Sequence, residues 1–466
     1  MASRIDFHDT IIIGAGVSGS WIADQLTQKG MRVLMVEAGR HFDRKTYPRR
    51  EVDANSLLYW SGGIELNHDA SIGLLRPKVV GGGSVVNQAL LDRFDEDAFV
   101  SWKKQSGIEF FDQDQMAEWY ERAEASIHQQ YIPKENWNGN AEVFAEGFEK
   151  NGFKCAPLRR AQKDCRYAEG SDCIECLMGC RIDSKQSTPV TTLKRALESG
   201  HLELRAKTQA MKLIEDANGI TIELRSSTGE SSLVRASRLV LASGAIGNSK
   251  LLLASGYGEK LPALGHGFYT HPQYMTLALY DRSIRAHKGP FQALKSDDPE
   301  FRRQGFKLEN VFAPPSGLAM LVPGFGAKHM ETMKQMSHMA CVEVAIRDTE
   351  PGRIELASGG RAKVTKALNA EDRSRRDRGL AAVDKIFNST GAKKLIPGDV
   401  AIGLHLMGGC AIGKDKKTSV VSPEFNLHGS KRIFAADSSV FPNAPGINPS
   451  LTIMALSLRA AEVIAS

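Results

Sequence analysis

The amino-acid sequence predicts an α/β protein in which a Rossmann-like dinucleotide-binding domain is interleaved with a second domain. The chain has 466 residues, more than one hydrophobic core usually organises, so two domains are expected. Its N-terminal segment alternates strand, helix and strand, which is the order of a βαβ unit. Hydrophobic residues make up 42% and charged residues 24% of the chain, a composition that excludes a disordered or fibrous protein.

The βαβ unit is predicted from a continuous pattern near the N-terminus. Residues 9–14 are a short, β-branched run that is typical of a buried strand. The segment Gly14-Ala-Gly16-Val-Ser-Gly19 follows directly, and apolar residues at helical spacing then continue to Lys29. A second strand is expected over residues 32–37. The strand, the glycines and the helix stand in the order that a dinucleotide-binding turn requires.

Each glycine of this motif has a physical role. Gly14 permits the tight turn, Gly16 lets the backbone approach a diphosphate, and Gly19 lets the helix pack closely on the strand. The helix N-terminus offers free N–H groups and a positive dipole end to the phosphates. Glu37 ends the second strand, where its carboxylate can accept hydrogen bonds from both hydroxyls of an adenosine ribose.

The remaining elements are predicted from shorter periodic runs. These are a helix over 99–130, strands over 202–206, 219–224, 237–243 and 432–437, and helices over 249–254 and 452–464. Residues from about 275 to 400 carry no nucleotide motif and are expected to form a layer that covers a substrate.

Charge and hydropathy limit the partners that the chain can have. The net charge of +6 is small for this length, and the basic clusters are mixed with acids, so neither nucleic-acid nor membrane binding is expected. No apolar run approaches the roughly 18 residues that a membrane helix needs. The N-terminus does not resemble a secretory signal, which predicts a cytoplasmic protein, although a partner subunit could carry an export signal for both.

Three of the seven cysteines, Cys173, Cys176 and Cys180, fall within eight residues of one another. Three thiolates at this spacing could hold a metal ion or an iron–sulfur cluster. A zinc ion would need a fourth ligand, for which Cys165 or Asp172 is available. The alternative is a turn that contains buried thiols or one reducible disulfide.

Several segments together resemble the glucose–methanol–choline (GMC) family of flavin oxidoreductases. They are the N-terminal glycine motif with Glu37, the loop Val80-Gly-Gly-Gly-Ser-Val-Val-Asn87, the segment 244–256, and the C-terminal segments 405–410, 437–442 and 448–452. The similarity runs from residue 9 to the C-terminal helix. In the form of its motifs the chain is closest to the cholesterol-oxidase and bacterial sugar-dehydrogenase branches.

The resemblance implies a discontinuous domain organisation. The FAD-binding domain is expected to comprise residues 1–100, 160–275 and 400–466. Residues 101–159 and 276–399 are expected to form an α+β substrate-binding domain built on an antiparallel sheet.

The resemblance also implies FAD as the cofactor. A non-covalent attachment is expected because the Gly81–Asn87 loop contains neither His nor Cys. Asp437 is expected near the ribityl or diphosphate part of FAD, or, as an alternative, as the cap of a short helix. The residues expected to bind the cofactor are Gly14, Gly16, Gly19, Glu37, Gly82, Gly83, Asn87, Asp437 and Pro449.

Catalysis is assigned by the same resemblance to His405 and Asn448. A neutral imidazole can accept or hold the hydroxyl proton of an alcohol while a hydride passes to N5 of the flavin. Asn448 can position the alcohol oxygen but cannot act as a base. His271, in the segment Thr270-His271-Pro272, is expected to have a structural role at the edge of the flavin domain.

The predicted reaction is the oxidation of a sugar, cyclitol, or other ring or secondary alcohol to a carbonyl compound. The electrons would pass to O₂, a quinone, a cytochrome or a partner subunit. Some bacterial sugar dehydrogenases of this family carry an iron–sulfur cluster near the position of Cys173, Cys176 and Cys180, which keeps that interpretation open. The alternative function is that of a hydroxynitrile lyase or another non-redox enzyme with a structural FAD.

Overall fold

The protein was analysed as a computed structural model, which describes residues 6–166, 172–290, 292–398 and 400–466. The side chain of Cys173 also lies outside the described part.

The strands of the described chain form two sheets. They are β1 (Asp6–Ile13), β2 (Val33–Val36), β3 (Glu65–Leu66), β4 (Ile72–Leu74), β5 (Cys155–Pro157), β6 (Leu202–Arg205), β7 (Thr208–Asp216), β8 (Gly219–Ser226), β9 (Ser231–Leu241), β10 (His266–Leu279), β11 (Leu294–Ser296), β12 (Phe306–Asn310), β13 (Met339–Ile346), β14 (Gly352–Leu356), β15 (Ala362–Thr365), β16 (Lys394–Ile396), β17 (Ala401–Met407) and β18 (Ile433–Ala435).

The helices connect and cover these strands. They are α1 (Val17–Gln28), α2 (Glu51–Leu58), α3 (Gly83–Val86), α4 (Glu96–Ser106), α5 (Gln113–Ala125), α6 (Gly139–Lys150), α7 (Cys173–Cys176), α8 (Thr192–Glu198), α9 (Gly244–Ala254), α10 (Pro299–Arg303), α11 (Pro315–Leu321), α12 (Gly326–Met333), α13 (Ala370–Ser389) and α14 (Ser450–Ala465).

The first sheet is parallel at its centre. Its strand order is β6-β2-β1-β9-β8-β7, and β18 pairs in parallel with β9. The run Ile11-Ile12-Ile13 of β1 is at most 5% exposed, as expected for a strand that is covered on both faces. Helix α1 packs against α8 and α14, and its side chains Trp21, Ile22 and Leu26 are buried.

The carboxyl ends of β1, β9 and β18 lie at one edge of the first sheet. Ile13 of β1 and Ala435 of β18 are both paired with Leu241 of β9. The Gly14 turn, the Gly244 helix and the Asp437 turn each follow one of these strands, so all three lie at the same edge of the sheet. Ligands of open α/β sheets bind at such an edge.

The second sheet is larger and mostly antiparallel. Its order is β3-β4-β17-β10-β13-β12-β11-β5, with β4 and β17 parallel to each other. Helices α6 and α13 pack on its central strands. The predicted α/β fold with an antiparallel second sheet is confirmed.

The boundaries of two predicted features differ in the structure. The single helix expected over 99–130 is two helices, α4 and α5, because Gly107 adopts a left-handed φ of 70° and Asp112 caps the next helix. Helix α5 packs on α14, although it falls in a segment assigned to the substrate domain. Strands β3, β4 and β17 belong to the second sheet, although they fall in segments assigned to the FAD-binding domain.

Within the described ranges, none of the helices has both the length and the apolar character needed to cross a bilayer.

Candidate functional site

The turn after β1 leaves room for a phosphate group. Gly14 has a φ of 108°, and a Cβ atom on Gly19 would lie 2.0 Å from the carbonyl oxygen of Gly14. A Cβ atom on Gly16 would instead meet no atom within 4 Å, so the space in front of this residue is open. Helix α1 begins at Val17 without an acidic residue in its first turn and without a side-chain cap. Its first N–H groups are thus available to an anionic ligand.

A second glycine loop closes on the first. The N–H group of Gly81 donates to the carbonyl oxygen of Ala15 at 2.8 Å. Gly82 has a φ of 52°, and a Cβ atom there would lie 2.8 Å from Cα of Gly16, whereas Gly83 faces open space. The Asn87 side chain accepts a hydrogen bond from the Ala89 N–H group, which leaves its own NH₂ group to donate.

Glu37 lies beside the glycine turn. Its carboxylate accepts hydrogen bonds from the N–H groups of Ala15 at 3.0 Å and Gly39 at 2.7 Å. Burial raises the pKa of Glu37, and these two N–H groups oppose that shift. The carboxylate is thereby fixed at the end of β2, where the sequence predicts contact with a ribose.

Asp437 connects three segments at the same sheet edge. It accepts hydrogen bonds from the N–H group of Gly244 at 2.7 Å and from the amide of Asn248 at 3.0 Å. It also accepts from the N–H group of Ser439 and so caps a short helix. The predicted alternative of a capping acid is therefore present in the structure, while a contact with FAD stays a prediction.

These residues fit FAD. The open space at Gly16 and Gly83 would receive the diphosphate and the parts next to it, and the free N–H groups of α1 would face its negative charge. Glu37 would bind the ribose, and Asn87 would donate to the flavin.

His405 lies at an irregular position in β17. Tyr269 pairs with Met407 and His271 pairs with Leu404, so β17 has one extra residue at this point, a β-bulge. His405 has a φ of 53°, a left-handed conformation that is uncommon for a residue with a side chain. Bulges of this kind redirect a side chain next to active sites.

His271 faces His405, with 3.0 Å between the two Nδ1 atoms. The N–H group of Gly446 donates to Nε2 of His271 at 3.0 Å, so a neutral His271 carries its proton on Nδ1. By this assignment His271 donates to Nδ1 of His405, and a neutral His405 carries its proton on Nε2. From the sequence, His271 was expected to have a structural role at the edge of the flavin domain. The structure instead places it against His405.

Both imidazoles are held neutral at pH 7. Burial and the positive charge of Lys307 lower the pKa of His405 to about 4, although Asp92 opposes the shift. Burial and the neighbouring His405 lower the pKa of His271 well below its ordinary value. A neutral imidazole is the form that can accept a proton.

Asn448 adjoins the same cluster of side chains. It is 9% exposed, and its NH₂ group donates to Oε1 of Glu309 at 3.3 Å. Glu309 also contacts Lys307, whose charge acts on His405. Pro449 follows Asn448 as the N-cap residue of α14, whose first turn contains no acidic residue.

Two of the three clustered cysteines are described. The Cys180 thiol accepts a hydrogen bond from the N–H group of Lys185 at 3.4 Å. Hydrogen bonds, chiefly with Cys176, lower the pKa of Cys180 to about 5. No group of three His, Cys, Asp or Glu side chains among the described residues is arranged to bind a metal ion, and the Cys173 side chain lies outside that part. An iron–sulfur cluster at these cysteines stays a prediction.

The cysteine segment is attached to the second glycine loop. The buried Lys185 ammonium donates to the carbonyl oxygens of Val85 at 2.5 Å, Asn87 at 2.8 Å and Cys176 at 2.6 Å. The cysteines therefore lie next to the loop that is expected to border the flavin.

Comparison with known proteins identifies the class to which this fold and site belong. The two family models described as GMC oxidoreductase match residues 9–273 and 348–457. The chain belongs to the GMC oxidoreductase family and is an FAD-dependent alcohol oxidoreductase.

Similar proteins occur in bacteria and plants. The chain is 28% identical to the uncharacterized GMC-type oxidoreductase y4nJ of Sinorhizobium fredii, over 98% of this chain and 94% of that protein. It is 25% identical to long-chain-alcohol oxidase FAO4A of Arabidopsis thaliana, over 96% of this chain and 67% of that protein. Pyridoxine 4-oxidase from Mesorbium loti has the same fold, with a TM-score of 0.76, 16% identity and coverage of 98% of each chain.

The residues that surround His405 and Asn448 were not predicted from the sequence. His271 was given no part in the site, and Lys307 and Glu309 were not singled out. A motif could not reveal them because their proximity depends on how β10, β12 and β17 pair in the second sheet. The sequence did contain one indication of a polar site. Lys307 and Glu309 are charged residues at alternate positions of a strand that is otherwise buried.

Proposed function

We propose that this protein oxidises a ring or secondary alcohol, such as a sugar or a cyclitol, to the carbonyl compound. The observation that carries the proposal is the half-buried, neutral His405 on a β-bulge, next to His271 and to the segment that holds Asn448. FAD, when bound, supplies the acceptor for the hydride that leaves the alcohol carbon.

The residues of the chain have distinct parts in this reaction. His405 accepts or holds the hydroxyl proton, and Asn448 orients the alcohol oxygen through its amide. In the tautomer set by the Gly446 hydrogen bond, Nε2 of His405 carries a proton that it can donate to the alcohol oxygen. Uptake of the hydroxyl proton at Nε2 first requires both imidazoles to change tautomer, with loss of the hydrogen bond from Gly446 to His271. His271 therefore takes part as a positioning residue for His405.

The cofactor, the acceptor and the location complete the proposal. FAD binds without a covalent link at Gly14, Gly16, Gly19, Glu37, Gly82, Gly83, Asn87, Asp437 and Pro449. The electrons pass to O₂, a quinone, a cytochrome or a partner subunit, and the protein works in the cytoplasm. An iron–sulfur cluster would favour a one-electron carrier; iron and sulfide analysis of anaerobically prepared protein tests for it.

The test of the proposed function is anaerobic reduction of the bound flavin by a panel of alcohols. We expect His405→Ala to keep its FAD but to reduce about 10²–10⁴-fold more slowly, the usual contribution of a positioned acid–base group. Asn448→Ala loses one oriented hydrogen bond and is expected to slow the reaction less.

His128→Ala provides the control because His128 is exposed and distant in sequence from every site segment. If His405→Ala reduced as fast as the parent, the assignment of the base would be wrong. If no alcohol reduced the flavin of the parent, the redox proposal would fail, and a hydroxynitrile-lyase-like function with structural FAD would take its place.

A further inference from the structure

One face of the second sheet is polar next to the catalytic residues. Gln273 of β10 and Lys307 of β12 both pair with Ala345 of β13. In the next row Glu343 of β13 pairs with Glu309 of β12, which in turn pairs with Lys295 of β11. Because side chains alternate along a strand, these residues share one face. We call Gln273, Lys295, Lys307, Glu309 and Glu343 the polar face.

The opposite face of the same strands is an ordinary apolar core. A Cβ atom on Gly379 of α13 would lie 2.3 Å from Val344 and 3.4 Å from the ring of Phe306. Val344 is fully buried, and Phe306 is 4% exposed. The polar face is thus directed away from α13.

The charges of the polar face cancel once Asp92, which contacts Lys295 and Lys307, is counted with them. Despite burial, Lys307 and Lys295 lower the pKa of Asp92 to about 2, so this carboxylate is ionised. Lys307 also contacts the Glu309 carboxylate. Burial and the neighbouring Glu309 raise the pKa of Glu343 well above its ordinary value, which keeps it protonated. Two cations and two carboxylates therefore leave the surface polar but without net charge.

The polar face borders the catalytic residues. Glu309 accepts the hydrogen bond from Asn448 at 3.3 Å, and it also contacts the amide of Gln292. His271 precedes Gln273 by two residues in the regularly paired part of β10, so both side chains point to the same side of the sheet. A substrate held by Asn448 would lie against this surface.

Gln273 has an unsatisfied hydrogen-bonding group. The residue is 3% exposed, and its Oε1 atom is buried without a hydrogen-bond partner among the described residues. Buried acceptors almost always have a partner in a working protein, either from the protein, from water or from a ligand. This acceptor lies on the same side of β10 as His271 and is free to accept from a ligand hydroxyl.

We propose that the substrate is an uncharged polyol of the sugar or cyclitol class, whose additional hydroxyl groups bond to Gln273 and to the part of the polar face next to Asn448. This inference rests on the proposed alcohol oxidation. An apolar chain at this position would desolvate polar groups without replacing their hydrogen bonds. The polar face together with Asp92 offers no net charge to compensate that of an ionic alcohol. The proposal therefore excludes long-chain alcohols and sterol-like compounds.

The first test compares ring alcohols that differ only in hydroxyl content. Anaerobic flavin reduction is measured with myo-inositol, glucose, cyclohexanol, 1-octanol and choline, each over a range of concentrations. We expect at least one polyol to exceed cyclohexanol in reduction efficiency by about 10²-fold or more, since a site built to bond a hydroxyl rejects an analogue that lacks it. Equal or better reduction by cyclohexanol, 1-octanol or choline would overturn the inference while leaving alcohol oxidation intact. No reduction by any alcohol would instead overturn the proposed function itself.

The second test removes the unpaired acceptor. Gln273→Leu is expected to weaken binding of the polyol about 10-fold or more and to lower the ratio of reduction efficiency between the polyol and cyclohexanol. Met275→Leu, on the same side of the same strand, is the matched control. Polyol binding is also measured as thermal stabilisation of the FAD-loaded protein, which does not depend on turnover. An unchanged polyol affinity in Gln273→Leu, with FAD content equal to the parent, would contradict the recognition role.

Discussion

His405 combines features that are unusual for a residue in the middle of a strand. It has a φ of 53°, it lies on a β-bulge, and its imidazole faces that of His271 at 3.0 Å. A left-handed conformation in a residue with a side chain costs free energy and persists where the surrounding structure imposes it. Here the Gly446 hydrogen bond fixes His271, which in turn fixes the ring of His405.

The pH dependence of the reaction follows from the surroundings of His405. Burial and Lys307 lower its pKa to about 4, so the base remains unprotonated and active at neutral pH and is lost only as the pH falls through about 4. In Lys307→Met the cation is removed, the pKa of His405 rises, and the acid limb is expected at higher pH. The measurement is the rate of anaerobic flavin reduction across acidic and neutral pH.

Lys295→Met provides the control for this prediction. Lys295 also pairs with Asp92 but is not among the charges that shift the pKa of His405. A smaller displacement of the limb is expected in this variant. An acid limb at the same pH in Lys307→Met and in the parent would show that another group controls the rate.

At the scale of elements, the proposed cofactor site is formed by two glycine turns in contact. The Gly14–Gly19 turn needs Gly14 and Gly19 for its own geometry, since side chains there would strike backbone atoms. Gly82 needs both its positive φ and its close approach to Gly16. Gly16 differs because it has an ordinary φ of −76° and open space before it. The protein itself would therefore accept a side chain at this position, and a bound ligand explains why the residue is glycine.

Gly16→Ala is therefore expected to fold normally but to bind FAD weakly. The added methyl group occupies the space that the diphosphate would need, while the backbone tolerates it. The FAD content of the purified protein and its far-UV circular dichroism are the measurements. Gly258→Ala, where a Cβ atom meets only the Leu253 side chain at 3.4 Å, should keep both unchanged. A Gly16→Ala protein with a full complement of FAD would refute this account of the turn.

At the scale of the whole molecule, the cofactor site draws on segments that are far apart in the chain. The Gly14 turn, the Gly82 loop, the Gly244 helix and the Asp437 turn meet at one edge of the first sheet. The proposed catalytic residues come from β17 and the segment before α14, and the positioning residue His271 comes from β10. A ligand that binds all these segments favours the folded state over the unfolded chain.

FAD is thus expected to stabilise the whole protein against heat. At a free concentration about 100-fold above its Kd, a ligand adds about 2.7 kcal/mol to the free energy of unfolding. The thermal midpoint of FAD-depleted protein should rise with FAD concentration. FMN lacks the adenosine that Glu37 is expected to bind and should raise the midpoint less. Equal stabilisation by FMN would place the binding energy elsewhere than in the βαβ unit.

The sequence alone determined the parts of the protein whose chemistry depends on neighbours in the chain. The β1–α1–β2 unit, its glycines and Glu37 were predicted within a few residues, because a phosphate-binding turn is a local structure. The catalytic assignment of His405 and Asn448 came from resemblance, and their surroundings could not be predicted. Helix 99–130 was predicted as one element because the break at Gly107 is a capping effect that helical periodicity does not reveal.

Only the tertiary structure decided what surrounds the catalytic pair. The pairing of β10 with β17 brings His271 to His405, and the pairing of β13 with β12 brings Glu343 to Glu309. Strand register is set by long-range packing, and a shift of one residue would turn every one of these side chains to the other face. The buried charges acquire their pKa values and their role only after that register is fixed.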